Sequence, residues 1–513
     1  MTAFASRAYV GWMKRVFGLE TEYGITIQGA GSMDVVAESI ELLRCYTERG
    51  AHMKWDYRLE DPHRDARGFR APVLLQDTDE SAYFEIDRRR PLSFEEIKSD
   101  LVLSNGARFY NDHAHPEYST PECTTLRQIV AQEKAGERIL AECARRRNLS
   151  LNDDSEVRLF KNNTDFAGHS YGCHDNYLIG RDVPWDELVA RVLPFLITRQ
   201  IFAGAGKLGV EVESAGGQPG VFQISQRADF FQTMVSIDTM NKRPLVNTRD
   251  EPHADPHRYR RFHVILGDSN MSEWAIALKI GATALVLDLI DKGKAPQLEI
   301  AQPVSATKSI SRDQEYDWII ELNDGRKISA IDVQRLYLEA AEREHAGDPE
   351  FSWLLREWES VLDDLQRDVA STADRVDWAA KKFLLSSFRD AEKLAWSDPW
   401  QQSIDLEYHH IQPDQGLFYE LQRQGAMRTL VSEKEIQDAI YSPPETTRAW
   451  FRGRAVARFN HAITSIQWDE IAFSNGKKRR VVKLPEPAGD ERLTKLNELV
   501  NAENEFGDFF AQL

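Results

Sequence analysis

The stretch VFGLETEYGIT (Val16–Thr26) decides how this chain is read. As a strand of period two it sets Glu20 and Glu22 on one face and Phe17, Leu19, Tyr23 and Ile25 on the other. At a rise of roughly 3.4 Å per residue the two carboxylates stand about 7 Å apart. Like charges that close favour protonation of one of them unless a cation lies between. A hard divalent ion such as Mg²⁺, with oxygen ligands and a nucleotide phosphate, relieves that repulsion. The alternative is a half-exposed edge strand with two solvated glutamates.

The same parity recurs further along. NGARFYNDHAHPEYSTPEC (Asn105–Cys123) opens on an Asn105–Gly106 turn. The strand after it sets Arg108, Tyr110 and Asp112 on one face, an expensive set to bury without a function. His115 and Glu117 follow directly. In FKNNTDFAGHSYGCHDNY (Phe160–Tyr177), Gly168 and Gly172 free the backbone, and His174 and Asn176 share a face. VFQISQR reads as a strand ending at Arg227, and RFHVILGD puts Arg261 and His263 side by side. Strands that repeatedly present such groups on one side predict an α+β fold, a sheet with a polar concave face and helices behind it.

At 513 residues the length points to two or more domains, or to one large domain with additions. A net charge of −18 argues against general nucleic-acid binding. The apolar run Trp274–Ile290 is broken by Lys279 and Asp288, which makes it a buried helix and not a membrane span. No leader is read at the N-terminus, so a cytoplasmic protein is expected. Four scattered cysteines give neither a disulfide framework nor a zinc knuckle. Ser32–Gly50 reads as an amphipathic helix, Leu126–Arg147 as another, and Ile328–Trp396 as mostly helical with Trp353 and Trp358 in the core. DPWQQSIDLEYHHI (Asp398–Ile411) reads as extended. Trp55–Asp100, rich in charge and lacking periodicity, is either a functional loop or a disordered insertion. A boundary is expected near residue 430, with strand-turn-strand around Asn475–Gly476 in a small C-terminal unit.

Taken together, GLETEYG, NGARFYNDHAHPEYSTPEC, FKNNTDFAGHSYGCHDNY, NTRDEPHAD and RRFHVILGDSNMSE are similar to the Pup ligase/depupylase (PafA/Dop) family of the bacterial pupylation system. The resemblance runs from about Arg15 to Val482. It implies a glutamine-synthetase-like fold of the carboxylate-amine ligase group. A large domain (1–430) would hold ATP and Mg²⁺ on a curved antiparallel sheet, beside a small α/β domain (431–513). Carried over by motif, Glu20 matches a magnesium ligand, with Glu22 as the second. Tyr110 and Glu117 match magnesium-site positions, and Arg108, Thr120 and Trp468 nucleotide contacts. Asp112 matches the catalytic aspartate. His174 and His263 as metal ligands, and Arg227 and Arg249 as nucleotide-binding groups, fall in motifs lining the same pocket.

DHAHPEYSTPEC resembles the depupylase branch, because the ligases usually carry one residue more before HPEY. WDYRLEDPHRDARGF (Trp55–Phe69) and the segment after it resemble that branch's loop insertion. The implied activity is ATP- and Mg²⁺-dependent hydrolysis of the isopeptide bond between the C-terminal Glu of Pup and a substrate lysine, or of the side-chain amide of a C-terminal Gln. The implied partners are Pup and pupylated proteins. Asp112 would attack the carbonyl or orient water. One alternative is the Pup–protein ligase; the other is a Pup- or nucleotide-binding regulator that has lost turnover. Two departures stand out: Asp175 where the family usually has glutamate, and a long, charged stretch from Arg70 to Asp100.

Overall fold

Seven antiparallel strands carry Glu20, Glu22, Arg108, Tyr110, Asp112, Glu117, His174 and His263, whereas Arg227, expected to end a strand, lies beyond the strand Gln218–Gln223, where it precedes a 3-10 turn over Ala228–Phe230. In the computed structural model, which describes residues 12–29, 34–47, 51, 55–75, 89–112, 114–151, 154–211, 218–239, 241–349, 351–502 and 505–513, six of the seven strands lie in the order Tyr259–Val264, Cys173–Gly180, Trp12–Glu22, His115–Ser119, Arg108–Asp112, Leu101–Val102. The seventh, Cys123–Thr125, pairs with the earlier part of the first strand. The strand expected over Val16–Thr26 divides at Tyr23. Its N–H donates to the Pro116 carbonyl at 3.0 Å, and Gly24–Gln28 leaves to pair with Glu156–Phe160 in a separate two-stranded sheet. Glu20 and Glu22 stay in the main sheet.

The underside of the sheet is apolar. Phe17, Leu19, Tyr177, Ile179, Phe262 and Val264 are buried there in one core with the helices Leu126–Ser150, Trp185–Thr198 and Glu273–Asp291. Each such side chain contributes about 1.5–3 kcal/mol on full burial. The first of these helices starts where a capping box places it, Thr125 accepting from the Gln128 N–H and Gln128 reaching back. It then lies close to the sheet: a Cβ on Gly136 would sit 2.4 Å from the Tyr118 ring.

Asp398–Ile411, expected to be extended, is instead helical over Pro399–Tyr408. Asp398 accepts from the Trp400 N–H at 2.9 Å and Pro399 supplies the first helical turn. His409 and His410 hold that helix end in place through Gln226 and Arg158.

Toward the C-terminus a separate apolar cluster forms, in which Phe451, Phe459, Phe473 and Phe509 gather around the strands Ile463–Ile466, Glu470–Ser474 and Arg479–Lys483 together with Trp55 and Val102. The helix Glu433–Tyr441, beyond the expected boundary near 430, places Ile436 and Ala439 in the main core. The described parts of the aperiodic 55–100 segment are tied down by contacts with the rest of the chain. Trp55 bridges Ile466 and Asp65 bridges Arg249, while Phe94–Lys98 is a short helix. Much of the charged Arg70–Asp100 stretch, residues 76–88, lies outside the described residues. Among the described residues no helix is long and apolar enough to cross a membrane.

Candidate active site

Strand register builds the site. Glu20 faces His174 on one neighbour and Ser119 on the other, and Ser119 faces Arg108. The next row runs Glu22, Glu117, Tyr110. Cross-strand partners stand about 5 Å apart, so two polar rows cross the concave face. Asp112 lies one pleat further, at the end of its strand. The cleft above them, about 200 Å³, is lined by every residue expected at the site except Thr120. Thr120 sits in an adjoining slot with Gly18, Trp468 and Pro487. There its hydroxyl accepts from the Leu19 N–H at 3.0 Å.

Two seats for cations result. The carboxylates of Glu22, Asp112 and Glu117 offer oxygens that all lie within 4.8 Å of one another; Glu20, His174 and His263 form a second such group. The first is an all-oxygen set suited to a hard ion such as Mg²⁺. The second adds two imidazoles, donors that suit softer divalent ions as well. Burial, and then the charges of Asp112, Glu20 and Glu22, push the Glu117 carboxyl well above its ordinary range. Burial, and then Arg261, push the His263 imidazole down to about 3, which leaves it a neutral lone-pair donor. Both its ring nitrogens are buried without a hydrogen bond, Nε2 lying 3.4 Å from Glu20 Oε2. His174 Nδ1 lies at the same distance from that oxygen. A Cβ on Gly172 would come within 2.5 Å of His174 Nε2 and 2.6 Å of Glu22 Oε1, so this glycine keeps the space between the seats open. Orphaned nitrogens, crowded carboxylates and that open space fit bound divalent ions. Tyr110 donates to Glu117 Oε1 at 2.6 Å and so orients that carboxylate.

Arginines face the acids. Arg108 is sandwiched between the rings of Trp55 and Tyr110, 4.2 and 3.9 Å from their centroids, and its Nε donates to Asp100 at 2.8 Å. Trp55 meets Trp468 edge to face at 5.3 Å. Arg227 is buried, its Nη1 donating to the Ile265 carbonyl at 2.6 Å, and desolvation lowers it to about 10, still cationic at neutral pH. Arg249 has a buried Nε without a partner. Arg261 reaches Glu20 Oε1 at 3.1 Å. Lys98 is ion-paired with Asp112.

Several lining residues were not assigned from sequence. Arg261 carried a signal, since parity had already set it beside His263. Tyr57, Glu60 and Lys98 carried none, because they come from the aperiodic segment and reach the cleft only through tertiary contacts. Asp175 is on the opposite face of its strand. It pairs with Arg199 through two bonds of 2.8 and 3.0 Å and accepts from Tyr177 at 2.8 Å. The glutamate-to-aspartate departure is therefore a matter of core packing, and it does not touch the cleft.

A sheet face with two cation seats, facing arginines and a carboxylate at the end of the rows has the layout of an enzyme site. The chain belongs to the Pup-ligase protein family, whose sequence profile it matches over residues 15–472. It is 42% identical to a depupylase of Acidothermus cellulolyticus, covering 92% of this chain and 93% of that one. To a Pup deamidase/depupylase of Mycolicibacterium smegmatis it is 40% identical, covering 90% and 92%. A Pup–protein ligase of Acidimicrobium ferrooxidans is 41% identical over 78% of this chain and 89% of its own. Among solved structures, the ligase PafA in complex with Pup superposes with a TM-score of 0.76 at 31% identity, covering 98% of this chain and 94% of that one. PafA in complex with ADP gives 0.72 at 36% identity, covering 85% and 98%.

Proposed function

We propose that this chain is a nucleotide- and Mg²⁺-dependent depupylase and Pup deamidase. The observation that carries the reading is the register that sets Asp112 one pleat beyond the Glu22–Glu117–Tyr110 row, where its carboxylate shares a seat for a divalent ion with Glu22 and Glu117. Relatives named for depupylation, aligned over nine-tenths of both chains, favour hydrolysis over ligation. The Pup–protein ligase remains the second reading, favoured by ligase relatives of similar identity. The regulator reading loses its main support, because Asp175 packs in the core.

In this reading Glu22, Glu117 and Glu20, with His174 and His263, hold divalent ions, and Arg108, Arg227, Arg249, Thr120 and Trp468 hold the nucleotide. Divalent ions held by these carboxylates and imidazoles would supply the positive charge that stabilises a developing oxyanion, and the arginines would neutralise the phosphates of the nucleotide. The acidic C-terminus of Pup enters against the arginines. Asp112 acts at the scissile carbonyl, by attacking it or by taking a proton from water, and both roles need its carboxylate anionic. Net hydrolysis adds the water oxygen to the carbonyl carbon and leaves a proton on the departing nitrogen. Amide hydrolysis needs no coupling to ATP, so the nucleotide serves the site's architecture.

The test is release of free substrate from a Pup–lysine conjugate by the purified chain with ATP and Mg²⁺, followed on gels beside Asp112→Asn. Release that requires nucleotide and vanishes in the variant supports the reading. Conjugate formed from free Pup would replace it with the ligase.

A further inference from the structure

Asp112 already has a lysine on it. Lys98 Nζ is ion-paired with Asp112 Oδ1 and lies 5.8 Å from the centre of the Tyr110 ring. Both side chains are largely shielded, at 17% and 23% exposure. The ammonium is held there from the backbone. Lys98 ends the short helix Phe94–Lys98; Asn111 Nδ2 donates to the Ile97 carbonyl at 3.1 Å. Two residues on, Asp100 is gripped by Arg108 and by the Tyr57 hydroxyl. The outer side of the helix is exposed, with Phe94 at 54%.

We infer that Lys98 occupies the place the lysine side of a conjugate must take, and so sets this chain's preference between protein conjugates and the smaller terminal amide of Pup. The inference rests on the depupylase and deamidase reading. In conjugate cleavage the C–N bond between the Pup carbonyl and a lysine Nζ breaks, and that Nζ leaves beside Asp112 with a proton. Lys98 presents the same chemical group, on an equally long stem, to the same carboxylate. Two lysine side chains cannot share that position, so an incoming conjugate displaces Lys98 from Asp112. A terminal amide releases only ammonia and brings no side chain into the space. Lys98 is thus a specificity-determining residue that weights the enzyme against bulky amine-bearing partners.

The experiment measures kcat/KM of the full chain, with ATP and Mg²⁺, for a Pup–protein conjugate and for Pup ending in glutamine. Wild type is compared with Lys98→Met, which keeps the stem and removes the charge, and with Lys98→Arg, which keeps an occupant. The ratio of conjugate to amide is expected to rise about fivefold in Lys98→Met, through a lower KM for the conjugate, and to stay near wild type in Lys98→Arg. An unchanged ratio overturns the inference, as does an equal fall of both activities, which would make Lys98 a positioning residue for Asp112. Calorimetric binding of Nα-acetyl-lysinamide gives a readout independent of turnover. Tighter binding to Lys98→Met is expected, and equal binding to both proteins counts against the inference. A wild type that turns over neither substrate refutes the functional reading, while the binding comparison still decides the role of Lys98.

Discussion

Glu22 and Glu117 are direct cross-strand partners in the central sheet. Like charges directly opposite destabilise a ladder, and here a third carboxylate, Asp112, joins them. Burial and these acidic neighbours drive the Glu117 carboxyl toward its neutral form, and a divalent ion would restore its charge.

Removing one of those charges should stabilise the metal-free protein. In EDTA, Glu117→Gln is expected to raise the melting temperature by on the order of 1 °C, because burial and its acidic neighbours already oppose the charge. The same variant should lose the increase that Mg²⁺ produces in wild type. Calorimetric scans with and without Mg²⁺ check both parts, and a Mg²⁺ shift undiminished in the variant would remove Glu117 from the seat.

Gly172→Ala places a methyl group between Glu22 and His174. The expected result is an at least tenfold higher Mg²⁺ concentration for half-maximal activity, with little change in the melting temperature, since the methyl enters the cleft and not the core. A Mg²⁺ titration of activity beside a thermal scan separates the two effects.

The C-terminal unit is docked by Glu122. Arg448 Nε donates to it at 2.7 Å, and the buried Arg452 contacts its carboxylate at 2.5 Å while also donating to the Gly106 and Trp468 carbonyls. Burial opposes the Glu122 charge, but Arg452 and then Arg448 outweigh it and hold the carboxyl at about 2. With a folded pKa below the unfolded value, this stabilisation is present above about pH 4.5 and is lost as pH falls toward 2. It amounts to on the order of 3 kcal/mol. Melting temperatures of wild type should fall more steeply between pH 5 and 3 than those of Glu122→Gln, whose loss is already present at neutral pH.

Arg108→Lys keeps the positive charge and gives up the planar group stacked between Trp55 and Tyr110. The nucleotide concentration giving half-maximal activity is expected to rise about tenfold, with a smaller effect at saturation. Equal losses at all nucleotide concentrations would point to a role for Arg108 away from the nucleotide.

Much of the cleft was legible because strand parity is a strong constraint. Glu20 with Glu22, Arg108 with Tyr110 and Asp112, and His174 with Asn176 each follow from alternation alone. What alternation cannot give is which strands are neighbours, and hence that Glu22 meets Glu117. The break at Tyr23 was invisible because Gly24–Gln28 continues the same apolar pattern into another sheet. Pro399–Tyr408 is a helix where an extended segment is expected, and the Asp398–Pro399 pair is the start signal that marks it. Tyr57, Glu60 and Lys98 lie in charged, aperiodic sequence, where only the folded chain shows which residues reach the cleft.

In the proposed reaction Asp112 and the neighbouring carboxylates hydrolyse a Pup amide bond while the nucleotide is retained. The most direct measurement counts ADP formed per bond broken, in one reaction of the chain with ATP, Mg²⁺ and a Pup–lysine conjugate. Many bonds broken for each ATP consumed are expected from this reaction, and none with Asp112→Asn. One ADP for each bond made or broken, or cleavage that persists in Asp112→Asn, would contradict it.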